Sequence, residues 1–183
     1  SDVYKRQLQS LERWCRTWHI KINAEKSRHI TFSMRRGDCP PVVLFGTPLP
    51  TATSVRYLGI HLDRRLTWKT HVKIKRQELA LRIRTYYWLL GRHSALPPHH
   101  KLLVYKIIIK PVWTYGISLW GSACRSALDV ISRFENKTLR LLLDAPWYVS
   151  NRTIRRDLNM PTIQDVVTAH ATRYARRLAA HPN

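Results

Sequence analysis

The sequence has few acidic residues and few cysteines. Its 183 residues include 11 Asp and Glu, and the closest two, Asp129 and Glu135, lie six positions apart. A polymerase or nuclease that uses two metal ions needs carboxylates grouped around the metals, so this spacing indicates no metal site. Three cysteines without a Cys-x-x-Cys pair fit neither a disulfide framework nor a zinc site, and they favour a reducing compartment.

Familiar catalytic motifs and membrane-length apolar runs are also missing. The sequence contains no Gly-x-Ser-x-Gly, P-loop or Gly-x-Gly-x-x-Gly motif, and no signal peptide opens it. Its most apolar window, 102–120, is interrupted by Lys106, Lys110 and Pro111, so a buried helix is a better interpretation than a membrane span. We therefore predict no catalytic residue, no metal or cofactor held by this chain, and no membrane partner.

Positive charge is the most abundant feature. The 32 Lys and Arg residues outnumber the acids and give a formal net charge of +21. Such an excess makes polyanions the default partner. Aromatic residues interleaved with the basic ones favour nucleic acid over an anionic membrane or a merely solvated surface.

The apolar periodicity changes along the chain and predicts an α+β fold. Residues 8–67 predict a small lobe: a helix from Leu8, strands near 20–22 and 27–33, a hairpin arm within 42–50, and a last strand across 55–62 that Gly59 interrupts. Residues 68–183 predict a helical lobe, with helices over 68–90, 98–120, 126–143, 151–158 and 162–178. Residues 1–7 carry no periodic signal and are predicted to be non-native or unstructured.

The first long helix carries a line of basic residues. Between two apolar lines on this helix fall Lys69, Lys73, Arg76 and Arg84, and residues 64–92 contain nine basic residues against one acid, Glu78. We call these four residues the basic ridge. Solvated helix faces usually mix both signs of charge, so the pattern favours a phosphate-facing surface. Aromatic residues near the ridge, such as Tyr86 and Trp113, fall mostly on apolar stripes, which favours core packing over base stacking.

Several motifs in fixed order resemble a known family. Trp14-Cys15-x-x-Trp18-x-Ile20-Lys21-Ile22-Asn23, followed by Ile30-Thr31-Phe32, resembles the end of the palm in reverse transcriptases of non-LTR retrotransposons. Val55-Arg56-Tyr57-Leu58-Gly59-Ile60-His61-Leu62-Asp63 resembles the primer grip that follows. Ala145-Pro146-Trp147-Tyr148-Val149-Ser150-Asn151 and Leu178-x-x-His181-Pro182-Asn183 resemble the helical region of insect jockey-type elements.

The resemblance implies a C-terminal fragment of an RNA-directed DNA polymerase, made of a palm end with a primer-grip hairpin (8–67) and a thumb-like region (68–183). Tyr57, Leu58 and Gly59 would support the primer end, and the basic ridge would follow the phosphates of an RNA template–DNA primer duplex. Lys26 matches a palm lysine that lies near the incoming nucleotide's phosphates in the family. The other implied partners are the rest of the palm and the fingers, and the implied location is nuclear or cytoplasmic.

The catalytic aspartates of that family, which include an Ala-Asp-Asp turn, have no counterpart in this sequence. The Mg²⁺ ions of the parent enzyme would therefore bind elsewhere, and this fragment alone is predicted not to polymerise. Two alternatives stay open: a stand-alone nucleic-acid-binding module, and an inert pseudogene remnant whose open sheet edges make it poorly soluble. An upstream Ala-Asp-Asp in the source transcript would favour the polymerase, and a start codon near Leu8 would favour the module.

Overall fold

Short hairpins and long helices occupy different parts of the chain. The computed structural model describes residues 2–23, 25–35, 37 and 40–181, and it divides the chain into two units, Ser1–Leu66 and Thr67–Asn183. The first unit holds one helix and two small sheets, and the second is helical, so the predicted α+β class is confirmed. Ser1, Cys39, Pro182 and Asn183, on which some of the predictions depend, lie outside the described residues.

The first unit consists of α1 (Asp2–Thr17) and four short strands. β1 (Val43–Leu44) pairs antiparallel with β2 (Thr47–Pro48), and β3 (Ser54–Tyr57) pairs antiparallel with β4 (Ile60–Asp63). In the second pair Ser54 lies opposite Asp63 and Tyr57 opposite Ile60. Helix α1 begins at Asp2, so residues 2–7 continue the helix predicted from Leu8. These residues contain neither Pro nor Gly that would stop its extension.

Two strands predicted in this unit do not form as regular ladders. Residues 20–22 lie outside the described strands, and the 27–33 segment forms only an isolated bridge between His29 and Thr51. The prediction of one strand across 55–62 is also wrong in detail. The segment folds back on itself as a hairpin, because Leu58 and Gly59 both take positive φ values, 46° and 78°. Two such residues form the two-residue turn whose twist suits a hairpin.

The second unit contains eight helices among the residues that the structure describes. They are α2 (Lys69–Thr85), α3 (Tyr87–Leu90), α4 (Pro98–Val104), α5 (Lys110–Thr114), α6 (Ile117–Trp120), α7 (Arg125–Leu143), α8 (Asn151–Asp157) and α9 (Ile163–Ala179). A π-helical turn, Tyr105–Ile109, joins α4 to α5. Helix α7 packs against α2, α4, α8 and α9 and is the centre of this unit.

The predicted helix over 98–120 is interrupted at Tyr115 and Gly116. Pro111 lacks the N–H of the helical ladder, and its ring crowds the carbonyl four residues earlier. The π-helical turn, which widens the helix just before Pro111, accommodates this. Gly116, with a φ of 64°, then ends the run. The predicted helix over 68–90 is likewise two helices, because it breaks at Tyr86.

The core of the second unit is made of large apolar side chains. Trp113, Trp120, Leu79, Leu90, Ile131, Leu139 and Leu142 are almost completely buried. Gly91 follows α3 and does not have a positive φ. A glycine is needed here because of its small size, since a Cβ would lie 2.6 Å from the Tyr87 carbonyl oxygen. Among the residues that the structure describes, no helix combines the length and apolar content that a membrane crossing needs.

Candidate nucleic-acid interface

The basic ridge lies along one side of α2. Lys69, Lys73 and Arg84 are exposed, and Arg76 is half-buried. At 1.5 Å per residue, the ridge from Lys69 to Arg84 extends over about 22 Å. The predicted apolar flank on the outer side is exposed rather than packed, since Leu81 and Trp88 lie open to solvent. The ridge is therefore bordered by a packed face on one side only.

Arg76 is held in place by α7. Its guanidinium carbon lies 4.4 Å from the centroid of the Phe134 ring, within the range of a cation–π contact. Neighbouring Lys75, which points inward, is paired with Glu78 at 2.8 Å. The ridge thus consists of two mobile lysine heads, one arginine fixed on an aromatic ring, and Arg84 about two turns further on.

A groove separates the first half of the ridge from α7. Its volume is about 390 Å³, and its lining is mostly apolar. The lining residues are Lys69, Val72, Lys73, Arg76 and Gln77 on α2 with Ser126, Ala127 and Val130 on α7.

The groove, of about 390 Å³, lies where the N-terminal ends of two helices meet. Lys69 is close enough to Cys124, at the start of α7, to act on its charge, and Arg76 lies further along on Phe134. Helices α2 and α7 therefore run in the same direction, with their beginnings together. Each helix dipole is positive at this end, so the two add to the charge of Lys69 and Lys73.

Neither helix offsets this positive potential. The first turns of α2 and α7 contain no acidic residue, and no side chain caps α2. A lysine at the first position of a helix is electrostatically unfavourable, because it repels the positive end of the dipole. Local stability alone does not explain Lys69.

The Cys124 thiol lies at the start of α7, near Lys69. Hydrogen bonds from Ser126 and the backbone N–H of Ala127, together with the charge of Lys69, lower the pKa of this exposed thiol below its ordinary value. The Cys124 Sγ lies 3.2 Å from the Ser126 Oγ. The groups that stabilise a thiolate here are those that would stabilise a phosphate oxygen.

The predicted primer-grip residues lie together at the tip of the β3–β4 hairpin. Tyr57 and Leu58 are exposed, and Gly59 is half-buried in the turn. A bulky residue at positive φ is unusual, because its side chain crowds the backbone. Leu58 is therefore held at the tip at a local energetic cost, presenting an apolar side chain that is 72% exposed.

Lys26 lies in the turn after α1. Its backbone N–H donates to the Asn23 Oδ1 at 3.1 Å, and the Ser27 hydroxyl donates to the Asn23 carbonyl at 2.8 Å. The side chain of Lys26 is exposed. The described contacts fix the backbone of this turn and assign no ligand to the lysine.

Carboxylates in the described residues mostly serve structural contacts. Glu12 accepts from the backbone N–H of Phe45, Glu78 pairs with Lys75, and Asp144 pairs with Arg92. Asp165 caps α9. Within the described part of the chain, no group of three or more His, Cys, Asp or Glu residues could hold a metal ion. These residues do not fit the two-metal site of a polymerase.

A buried network in the second unit escaped the sequence analysis. The Glu135 carboxylate accepts from the Tyr105 hydroxyl at 2.7 Å and from the Arg155 guanidinium at 2.7 Å. Arg155 also donates to the Asn136 Oδ1 and the Pro161 carbonyl. Burial raises the pKa of Tyr105 well above its ordinary value, and the Glu135 charge raises it further, so the hydroxyl remains a donor. One feature of the sequence indicates a buried acid: Glu135 lies on the same side of the helix as the apolar residues Ile131 and Leu139.

Comparison with known proteins assigns the class. The chain is 41% identical over 170 residues to the probable RNA-directed DNA polymerase from transposon X-element of Drosophila melanogaster, a match of 93% of this chain and 19% of that protein. It is 37% identical over 176 residues to the RNA-directed DNA polymerase from mobile element jockey of the same species, covering 96% of this chain and 19% of that protein. The jockey polymerase of Drosophila funebris is 35% identical over 183 residues. No family model and no solved structure matches the chain.

The resemblance predicted from the motifs is confirmed: the chain is a relative of the reverse transcriptases of non-LTR mobile elements. Among these it is similar to the polymerases of X-element and jockey, and it corresponds to one part of each. The chain spans about a fifth of the length of these curated relatives. The prediction of a reverse-transcriptase fragment is supported to that extent.

Proposed function

We propose that the second unit binds the phosphates of a primer–template duplex through the basic ridge, as part of an RNA-directed DNA polymerase. The observation that carries the proposal is the groove between α2 and α7. There two positive helix ends, Lys69 and Lys73 converge without a compensating acid. Backbone phosphates are the ligands that such a surface attracts, whatever the nucleotide sequence.

The β3–β4 hairpin is proposed to support the primer end. An exposed tyrosine and an exposed leucine at a rigid two-residue turn offer an apolar contact for a terminal sugar or base pair. Lys26 keeps the role that the resemblance implies, near the phosphates of an incoming nucleotide. The catalytic aspartates, the Mg²⁺ ions and the remaining palm and fingers would come from the rest of the polymerase. The nucleus and the cytoplasm are the proposed locations.

The test is duplex binding as a function of salt, with an RNA–DNA hybrid that has a recessed primer end. Each phosphate neutralised contributes a slope of roughly 0.9 to the fall of log K with log salt. Replacing both lysines, in Lys69→Gln/Lys73→Gln, should therefore reduce the slope by roughly 1.8. Tyr57→Ala should reduce the preference for the recessed end over a blunt duplex while leaving the slope unchanged.

Arg82→Gln is the matched control. Arg82 is exposed on the same helix, and nine residues after Lys73 it lies on the opposite face. This change also removes one positive charge, but it should leave the slope as in the unchanged chain. Equal reductions per charge in the control and the double variant would contradict the ridge, because the attraction would then be diffuse.

A further inference from the structure

The loop between α7 and α8 presents two aromatic side chains to solvent. We call residues 146–149 the aromatic loop. Trp147 is 90% exposed and Tyr148 is 72% exposed. Their ring centroids lie 5.9 Å apart with an angle of 82° between the planes, so the rings meet edge to face. Both rings together offer a large apolar area that the fold does not use.

The exposure is not the result of a loose loop. The Arg140 guanidinium donates to the Pro146 carbonyl at 3.0 Å, to the Asn151 Oδ1 at 2.9 Å and to the Val149 carbonyl. These three acceptors hold both ends of the loop on α7. The Ser150 hydroxyl then caps α8 by accepting from the Thr153 N–H at 3.1 Å. The loop is therefore fixed by hydrogen bonds while its two aromatic rings are exposed. Such a loop is preorganised for binding, because its backbone loses little conformational entropy when a ligand binds.

The charges around the loop favour an anionic partner. Arg140 lies directly beneath it, and exposed Arg152 follows in the first turn of α8. The acid that precedes the loop, Asp144, is ion-paired with Arg92 at 2.8 Å. Aromatic faces beside arginines are the combination that binds unpaired nucleotides, because bases stack on the rings while the cations meet the phosphates.

We propose that Trp147 and Tyr148 form a stacking platform for unpaired nucleotides of RNA or DNA. The proposal shares the nucleic-acid partner of the proposed function, but it concerns a different surface and a different ligand. Bases inside a duplex already have both faces stacked, so the platform selects single strands, loops or frayed ends over paired regions. The basic ridge, by contrast, needs only phosphates.

The test uses the full chain and a short single strand that carries 2-aminopurine, made once as RNA and once as DNA. Stacking on an aromatic ring quenches the fluorescence of this base. Trp147→Ala should abolish the quenching and weaken binding of the single strand by about 5- to 150-fold. The same variant should keep the affinity for a blunt duplex and its salt slope.

Trp88→Ala is the matched control, because Trp88 on α3 is also a largely exposed tryptophan, at 74%. It should leave both the quenching and the affinity unchanged, and the melting temperature of each variant checks that it folds. Equal affinities of Trp147→Ala and Trp88→Ala for the single strand, or quenching that survives Trp147→Ala, would overturn the platform. A lost salt slope in Lys69→Gln/Lys73→Gln bears on the ridge alone, so the two proposals can fail separately.

Discussion

The two units of the chain are stabilised to different degrees by buried apolar side chains. In the second unit, helices enclose tryptophans and aliphatic residues that are almost completely buried, and a buried ion pair crosses the core. In the first unit the buried apolar residues are Cys15, Val42, Leu44 and Ile60, while large side chains such as Trp14 and Trp18 lie exposed. Two-stranded sheets are marginal by themselves in water.

The two units differ in how completely they bury their apolar side chains. The helical unit buries many large apolar side chains around α7, while others, such as Leu81 and Trp88, lie exposed. The hairpin unit leaves Trp14 and Trp18 exposed and has two sheets of two strands each, whose outer edges are unpaired in the described residues. A single substitution should therefore act across the whole second unit but only locally in the first.

The largest effect is expected for Glu135→Ala. The change removes the acceptor of Tyr105 and leaves Arg155, itself buried, without its carboxylate partner. Breaking a buried pair on one side typically lowers the free energy of unfolding by about 3–5 kcal/mol. Amide hydrogen exchange should rise in all helices around α7 together, measured alongside chemical denaturation.

Arg92→Ala is the control for this change. Both side chains of its ion pair with Asp144 are exposed. Arg92→Ala should therefore lower the free energy of unfolding by only about 0–1 kcal/mol. If Glu135→Ala raised exchange only near residue 135, the second unit would not be a cooperative core, and the contrast with the first unit would disappear.

A smaller and local effect is expected at the β3–β4 turn. Leu58→Asn should stabilise the hairpin by about 1 kcal/mol, because asparagine tolerates the positive φ that leucine resists. Gly59→Ala should destabilise it by about 1–2 kcal/mol for the opposite reason. Exchange of the β3 and β4 amides measures both changes, and α1 should not respond. Destabilisation by both substitutions would argue against the two-residue turn.

Local signals in the sequence located much of the second unit. The helix of α7 follows from its apolar spacing. The sequence places the beginning of α8 at Ser150 or Asn151 and that of α9 at Pro161 or Thr162, and the side chains that cap them are those of Ser150 and Thr162. The positions of the basic ridge residues follow from the helical repeat of 3.6 residues per turn in α2. Each of these signals lies within one or two turns of the residues it organises.

Features that depend on distant residues could not be predicted in this way. Nothing near Glu135 indicates that Arg155, twenty residues later, would neutralise it. The groove forms because α2 and α7 run in the same direction. The apolar periodicity of each helix predicts which face is buried but not the direction of the neighbouring helix. The residue pattern of 55–62 favours one strand, because Leu58 is a poor residue for positive φ, and a hairpin follows only from the family resemblance.

The smallest effect concerns the cap of α9, a local device within the cooperative unit. The Thr162 hydroxyl donates to the Asp165 Oδ2 at 2.7 Å and the Thr162 N–H donates to the same oxygen at 2.9 Å. These hydrogen bonds lower the pKa of Asp165 below its ordinary value of 3.8. A depressed folded-state pKa means that the stabilisation is complete above pH 3.8 and is lost as the pH falls through the lower, folded-state value.

Thr162→Ala should therefore move the pKa of Asp165 back up towards its ordinary value, as followed by the NMR shift of the carboxylate during an acid titration. Below that window the difference in exchange between the variant and the unchanged chain should shrink but persist, because the Thr162 hydroxyl still accepts from the Asp165 N–H at 3.2 Å after the acid is protonated. Ser150→Ala removes the cap of α8 and should leave the Asp165 titration unaltered. Identical titrations with and without Thr162 would mean that the capping box does not form in solution, and that this helix begins, like α2 and α7, with its positive end uncompensated.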